Sequence, residues 1–232
     1  MPSGTLWATM NVGAESIEDV GNYYSWGETE VKWPYSLYNY TFYDGHQYTK
    51  YCTAYKYGIP DGKTELDMED DAAAMRFGSS WRIPSDTQIS ELIKNCSVSR
   101  YSVNGVDGYL FTGPNGNSIF FPITGGCKQG SDYNTNCEAF YWARNLHYTE
   151  DGFAYLFTMN NGVAKLGFGD RYVGCVIRPV YNKDVSGIAT PTLTTKHAHS
   201  IYDLSGRKLN QQKKGLNIIR DENGIVKKVY VK

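Results

Sequence analysis

The chain has 232 residues and a formal charge of −1 at neutral pH, enough for one large domain or one medium domain with an appendage. That near balance argues against nucleic acid and anionic membrane as partners, and no apolar run reaches the roughly 18 residues of a transmembrane helix. Twenty Tyr, five Trp, nine Phe and 24 Gly suit exported, loop-rich β structure better than a cytosolic enzyme, with rigid amphipathic rings serving both core and binding surface.

The start, Met1-Pro-Ser-Gly-Thr-Leu-Trp7, lacks the basic and apolar regions of a signal peptide and enters a strand-like segment, residues 6–12, almost at once. The expectation is a chain trimmed near a domain edge, its export signal removed, from a protein that is extracellular or on the cell surface. The N-terminal third, with its Tyr-rich stretch over 33–60, has little regular period. So much aromatic material predicts a long ordered loop. Asp67, Glu69, Asp70 and Asp71 then precede Ala72-Ala-Ala74, which places negative charge at the positive end of a first helix. Their spacing spreads side chains around a helix, so a solvated first turn is expected rather than a calcium site. Gly78 stops that helix, and Trp81-Arg-Ile-Pro84 turns the chain. Ser85 and Gln88 have the spacing of a capping box, and Ile89, Leu92, Ile93 and Cys96 form one apolar stripe on a second helix.

Strand patterns follow. Residues 106–112 and 117–122 flank Gly113-Pro-Asn-Gly116, which predicts a hairpin. Further strands are expected over 139–143, 153–158, 162–168 and 174–180, separated by polar loops at 125–138, 145–152 and 169–173. Residues 182–199 are Thr-rich and read as a linker, in which His197 and His199 lack a third metal ligand. Residues 200–232 predict three or four short strands, a unit marginal by itself. The five cysteines show no zinc or C-x-x-C spacing. Cys127 and Cys137 flank a short loop that a disulfide could close; buried reduced thiols are the expectation for several of the five.

Several motifs occur in order: Leu6-Trp-Ala-Thr-Met-Asn-Val-Gly-Ala14, Tyr23-Tyr-Ser-Trp-Gly-Glu28, Asp71-Ala-Ala, Ser80-Trp-Arg-Ile-Pro84, Asn117-Ser-Ile-Phe-Phe-Pro122, Tyr141-Trp142 and Arg171-Tyr-Val-Gly-Cys-Val-Ile-Arg-Pro179. Together, over residues 5–181, they resemble the Fibrobacter succinogenes major paralogous domain family, found in exported proteins of Bacteroides-type bacteria. The resemblance implies an α+β, C-type-lectin-like fold with two short helices and a twisted antiparallel sheet, followed by a small β tail. The tail, through Ile201-Tyr-Asp-Leu-Ser-Gly-Arg-Lys208, Lys214-Gly-Leu-Asn-Ile-Ile219 and Lys227-Lys-Val-Tyr-Val-Lys232, resembles a shortened type IX secretion sorting domain. The expected organisation is a domain over 1–181, a linker over 182–199 and a β-rich unit over 200–232.

The calcium-dependent sugar motifs of animal C-type lectins are missing. Gly113-Pro-Asn115 lacks their carboxylate and reads as a β-turn. The oxidase branch of the fold uses paired reactive cysteines, whereas Cys175 has no neighbouring Cys in sequence. No nucleophile elbow, zinc-protease, P-loop or dinucleotide fingerprint occurs, and His46 and His147 read as loop residues. A non-catalytic domain needing neither cofactor nor metal is therefore expected. Its binding residues are expected on loops of a rigid scaffold: Tyr133, Asn134, Trp142, Arg144, Asp170, Arg171 and Tyr172. Rings stack on sugars while Asn, Asp and Arg bond hydroxyls. Tyr141 and Trp142 alternate on a strand, so one of them is expected in the core, and Arg171 is a candidate partner for Asp170. The expected function is recognition of a glycan or surface polymer without calcium. The alternative is a structural or adhesive module that binds a cell-surface protein.

Overall fold

The computed structural model describes residues 3–128, 131–133, 138–181, 200–202, 208–209, 214–220 and 226–231, and the chain divides into Met1–Val185 and Ser186–Lys232. The expected linker and Asn134 lie outside the described residues. The first unit is mixed α and β, with two short α-helices among small antiparallel sheets. No helix among the described residues is long and apolar enough to cross a membrane.

The two ends of this unit meet. Strand β1 (Leu6–Trp7) pairs antiparallel with β11 (Val180–Tyr181), which pairs in turn with β2 (Trp81–Arg82). β1 and β11 are both shorter than the strands expected over 6–12 and 174–180. Ala8 N and Val12 N reach Pro179 O and Ile177 O singly, and Cys175 and Val176 make isolated bridges to Tyr24 and Tyr141. Residues 8–66 form the expected long ordered loop, broken by one 3-10 turn (Leu37–Asn39) and isolated bridges. Side chains hold it where regular ladders do not. The Asp61 carboxylate, for example, accepts from Tyr51 N, Cys52 N and Lys63 N.

Helix α1 (Ala72–Phe77) is capped by Asp71, whose Oδ1 accepts from Ala73 N at 3.0 Å and Ala74 N at 3.1 Å. The same carboxylate accepts from Ile83 N and pairs with Arg82 Nε at 2.7 Å, so one buried Asp clamps the helix to the Trp-Arg-Ile-Pro turn. Gly78, at φ +88°, ends the helix where a Cβ would be strained. Helix α2 (Asp86–Asn95) carries the predicted Ser85–Gln88 capping box and buries Ile89 and Leu92.

Strands β3 (Ser97–Val103), β4 (Val106–Thr112) and β5 (Ser118–Pro122) form a meander. β4 and β5 are the predicted hairpin. β3 escapes a sequence reading because five of its seven residues are exposed, which leaves no alternation to detect. β6 (Gly126–Lys128) and β7 (Ser131–Tyr133) pair where only polar loop is expected. The last sheet has the order β10-β9-β8, from β8 (Glu138–Leu146), β9 (Phe153–Asn160) and β10 (Val163–Asp170).

Strands β8 and β9 are buried on both faces. Trp142, Ala154 and Leu156 join Trp26, Tyr40 and Tyr51 in one cluster. Tyr141, Ala143, Phe157 and Met159 join Ile89, Leu92, Phe111 and Phe121 in the other. Tyr141 and Trp142 are therefore both core, against the expectation that only one is. The second unit holds β12 (Ser200–Tyr202), β13 (Lys208–Leu209), β14 (Gly215–Arg220) and β15 (Val226–Val231), in the antiparallel order β13-β12-β14-β15.

Candidate functional site

Of the expected binding residues that the structure describes, Trp142 and Arg171 lie in the interior. Trp142 is fully buried, and its indole Nε1 donates to Tyr24 O at 2.7 Å. Arg171 is also fully buried. Arg144 Nε is held by Glu65 Oε2 at 3.0 Å, and Asn145 Nδ2 donates to the other oxygen of that carboxylate. Tyr172 packs partly buried against the first core cluster, while its carbonyl accepts from Ser25 Oγ. Asp170 ends β10 opposite Phe153. Tyr133 ends β7 opposite Gly126, and Asn134 lies outside the described residues. Trp142 and Arg171 are corrected from ligand contacts to interior supports. A ring and a cation look like binding chemistry in sequence, yet here the indole N–H goes to a backbone carbonyl and the guanidinium to three carbonyls and a phenol.

Arg171 shows how. Its Nε donates to Tyr40 Oη at 3.1 Å, Nη1 to the carbonyls of Tyr51 and Asp151, and Nη2 to the carbonyl of Lys50 at 2.9 Å. All four of these acceptors are uncharged, three backbone carbonyls and one phenol oxygen. The rings of Trp26, Tyr40, Tyr48 and Tyr51 surround the guanidinium at 4.6–5.8 Å from ring centroid to Cζ. Charge-assisted hydrogen bonds and ring faces together offset a desolvation cost that an isolated buried cation could not meet. Burial pushes Tyr48 up to about 12 and Tyr40 higher, which keeps both phenols protonated.

Beside this cage the acidic cluster differs from its sequence reading. Asp67, Glu69 and Asp70 converge, each offering an oxygen within 4.8 Å of the others. Lys50 Nζ fills the centre, at 2.8 Å, 3.1 Å and 2.5 Å from them in that order. The spreading expected of a regular helix fails because residues 68–70 form a 3-10 turn before α1 begins. Partial burial works to lower the Lys50 pKa, but the hydrogen bonds to Asp67, Asp70 and Glu69 outweigh it and raise the pKa. Lys50 and then Lys63 hold Asp67 below the usual carboxylate range. Here the chain supplies its own cation.

A small pocket of about 250 Å³ adjoins this network and includes Glu28 and Lys32. Glu28 Oε2 has no aligned hydrogen-bond donor, yet Lys32 Nζ stands 2.7 Å from it; we take the ion pair as the controlling contact, since charge attraction needs no alignment.

A second concavity lies elsewhere. A groove of about 730 Å³ runs between the N-terminal segment, the C-terminal end of α2 and the β4–β5 hairpin. Leu6, Trp7 and Ile17 form one wall, Phe120 and Pro114 the other, and Asn95 and Cys96 lie at the helix end. The first wall is tied to α2 by Ser3, whose N and Oγ both donate to the Glu91 carboxylate. The turn of the opposite wall closes through Gly113 N to Asn117 O and Gly116 N to Gly113 O, with Gly116 at φ +79°.

Arg178 ties wall to wall. Its guanidinium is fully buried and donates to Asn11 Oδ1, to the carbonyls of Ala8 and Thr9 on one side, and to Phe120 O on the other. Cζ lies 4.6 Å from the Phe121 ring centroid. Burial lowers the Arg178 pKa to about 10, so the group stays charged at neutral pH.

The described residues that line the groove include no Asp, Glu, Lys, Arg or His. Burial raises the Cys96 thiol pKa, so it is not poised as a thiolate. Cys52, Cys96 and Cys175 are in no disulfide, and Cys175 is fully buried. The groove can thus present the Trp7 ring, aliphatic surface and amides to an uncharged ligand, and its described lining offers no acid–base pair. Sequence reading passed over Trp7, Asn95, Asn117 and Phe120. The only local signal was Gly113-Pro-Asn115, correctly read as a turn but not as part of a wall.

Comparison with known proteins brings no match from family models, from curated proteins or from solved structures.

Proposed function

We propose that the first unit is an exported, non-catalytic recognition domain that takes an uncharged glycan in the groove, without calcium. The observation that carries this reading is the lining: Trp7 and Pro114 offer ring and flat apolar surface, three Asn offer amides, and no charged side chain is present among the described lining residues. Glycoside hydrolysis by the usual route needs two carboxyl groups flanking the bond, and this lining has none. Lys50 already occupies the carboxylate triad, which supports independence from calcium.

We read the fold as C-type-lectin-like. The pairing of the terminal strands β1 and β11 supports it, as do the two helices around Trp81-Arg-Ile-Pro84 and the long irregular segment. The reading of the tail as a sorting module, and with it a cell-surface or extracellular location, rests on sequence resemblance.

A glycan array probed with the full chain, with calcium and with a chelator, tests the proposal. Calcium-independent hits that vanish in Trp7→Ala and Asn117→Ala support it, and a blank array in both conditions ends it. One observation favours a protein partner instead. Tyr148 and Phe168 are 79 % and 56 % exposed, and both rings pack around His147 to form an aromatic surface away from the groove residues.

A further inference from the structure

Three Asn-Gly pairs stand on hairpin turns of the first unit, and a fourth, Asn223-Gly224, lies outside the described residues. The three differ in how they are held. Asn104-Gly105 joins β3 to β4 and Asn161-Gly162 joins β9 to β10, each as a two-residue loop. Such a turn demands positive φ at both residues, and φ is 50° and 85° in the first and 49° and 80° in the second. Asn115-Gly116 lies in the longer β4–β5 turn. There Asn115 Oδ1 accepts from Asn117 N at 3.1 Å, and Gly116 N donates to Gly113 O at 3.0 Å. Asn104 Nδ2 donates to Glu18 Oε1 at 2.6 Å, the leading contact that holds the Glu18 carboxyl below its ordinary range. Asn161 differs from both. It is exposed, and among the described residues neither its amide nor Gly162 N makes a hydrogen bond. Beyond the chain neighbours, no atom lies within 4 Å of a Cβ built on Gly162.

We infer that Asn161 is a site of self-modification, which loses its side-chain amide to attack by the backbone nitrogen that follows it. Gly162 N gives up its proton and attacks Asn161 Cγ. A new C–N bond closes a five-membered imide, the bond from Cγ to Nδ2 breaks, and ammonia leaves with the displaced proton. Water then opens the imide at either carbonyl, giving aspartate or isoaspartate. The attack needs a side chain able to rotate onto the next backbone nitrogen, and a nitrogen free to lose its proton. Asn161-Gly162 meets both conditions. Asn115-Gly116 fails each, because the side chain and the Gly116 N–H are both committed within the turn. The bond to Glu18 restrains the Asn104 side chain, and the carboxylate opposes a negative charge developing beside it. Either product puts a carboxylate on the β9–β10 turn, and isoaspartate adds one backbone carbon to a loop built for two residues.

The test is incubation of the full chain at neutral and mildly alkaline pH, followed by peptide mass mapping with fragmentation that separates aspartate from isoaspartate. Conversion is expected at Asn161 several-fold faster than at Asn104 or Asn115, with both products present and a rate that rises with pH. Glu18→Ala releases the Asn104 amide and should raise conversion there several-fold, with Asn161 unchanged. In concentrated urea the three pairs should converge on similar rates, since the turns that distinguish them are gone. Equal or faster conversion at Asn104 or Asn115 in the folded chain overturns the inference. So does an intact Asn161 in the folded chain when the urea sample converts, because the closed hairpin then forbids the ring. Aspartate without isoaspartate means direct hydrolysis by water, and overturns it as well.

Discussion

The surroundings of Arg171 and of Arg178 differ in what the same side chain holds together. Both guanidiniums are fully buried, and both bond to uncharged oxygens. Around Arg171, four aromatic rings complete the enclosure, and the carbonyls it gathers come from Lys50, Tyr51 and Asp151. Around Arg178, one ring lies against the charge, and the carbonyls of Thr9 and Phe120 belong to residues that line an open groove. A buried cation can therefore seal an interior or brace a binding wall. The rings and the residues behind the carbonyls decide which.

The largest expected effect breaks the sealed side. Arg171→Met removes the donor from four buried acceptors, so the expected loss is about 3–5 kcal/mol in denaturant unfolding. A loss under about 1 kcal/mol would mean that the cage tolerates an apolar filler, as some buried charge networks do. Ligand affinity of the folded fraction should not change, because Arg171 touches no groove residue through these bonds.

Arg178→Lys sharpens the contrast. Lysine keeps the charge but cannot span acceptors on both walls with a planar fork, so about 1–3 kcal/mol of stability should go. Unlike the change at Arg171, this one should also weaken glycan binding several-fold. Unchanged affinity would remove the distinction between the two arginines.

The smallest expected effect concerns Lys50, whose carbonyl joins the Arg171 cage while its ammonium neutralises Asp67, Glu69 and Asp70. Lys50→Met should lower the melting temperature by a few degrees, the scale of about 1 kcal/mol in a domain of this size. Millimolar calcium should restore part of that loss, while the unaltered chain should not respond. The pH dependence has a definite sign. The folded pKa of Asp67 is depressed, so its contribution is present above the ordinary Asp value of about 3.9 and is lost as pH falls through the lower folded value. Unfolding midpoints measured from pH 6 down to about pH 3 should therefore fall less steeply in Lys50→Met.

How much was legible in the sequence follows the range of each interaction. The Ser85–Gln88 capping box, the stop at Gly78 and the Gly113-Pro-Asn-Gly116 turn involve partners a few residues apart, and all three are found. The acidic cluster was legible as charge but not as geometry, because Lys50 reaches it from another part of the chain. β3 carries no apolar alternation and exists because β4 pairs with it. Trp142 and Arg171 have side chains suited to binding, and their burial follows from loops that fold over β8 and the end of β10.

By itself the sequence determined the α+β class, the two capped helices, the long ordered aromatic segment and the β-rich tail, since propensity, capping and alternation act within a few residues. Only the tertiary structure decided which polar and aromatic groups are available to a ligand. The Arg178 bonds to Ala8 and Thr9 span separations of 170 and 169 residues, and those from Arg171 to Tyr51 and Lys50 span 120 and 121. No local pattern encodes the carbonyls that such a side chain will meet, so the groove and its supports emerge only when distant backbone segments are brought against the same buried charge.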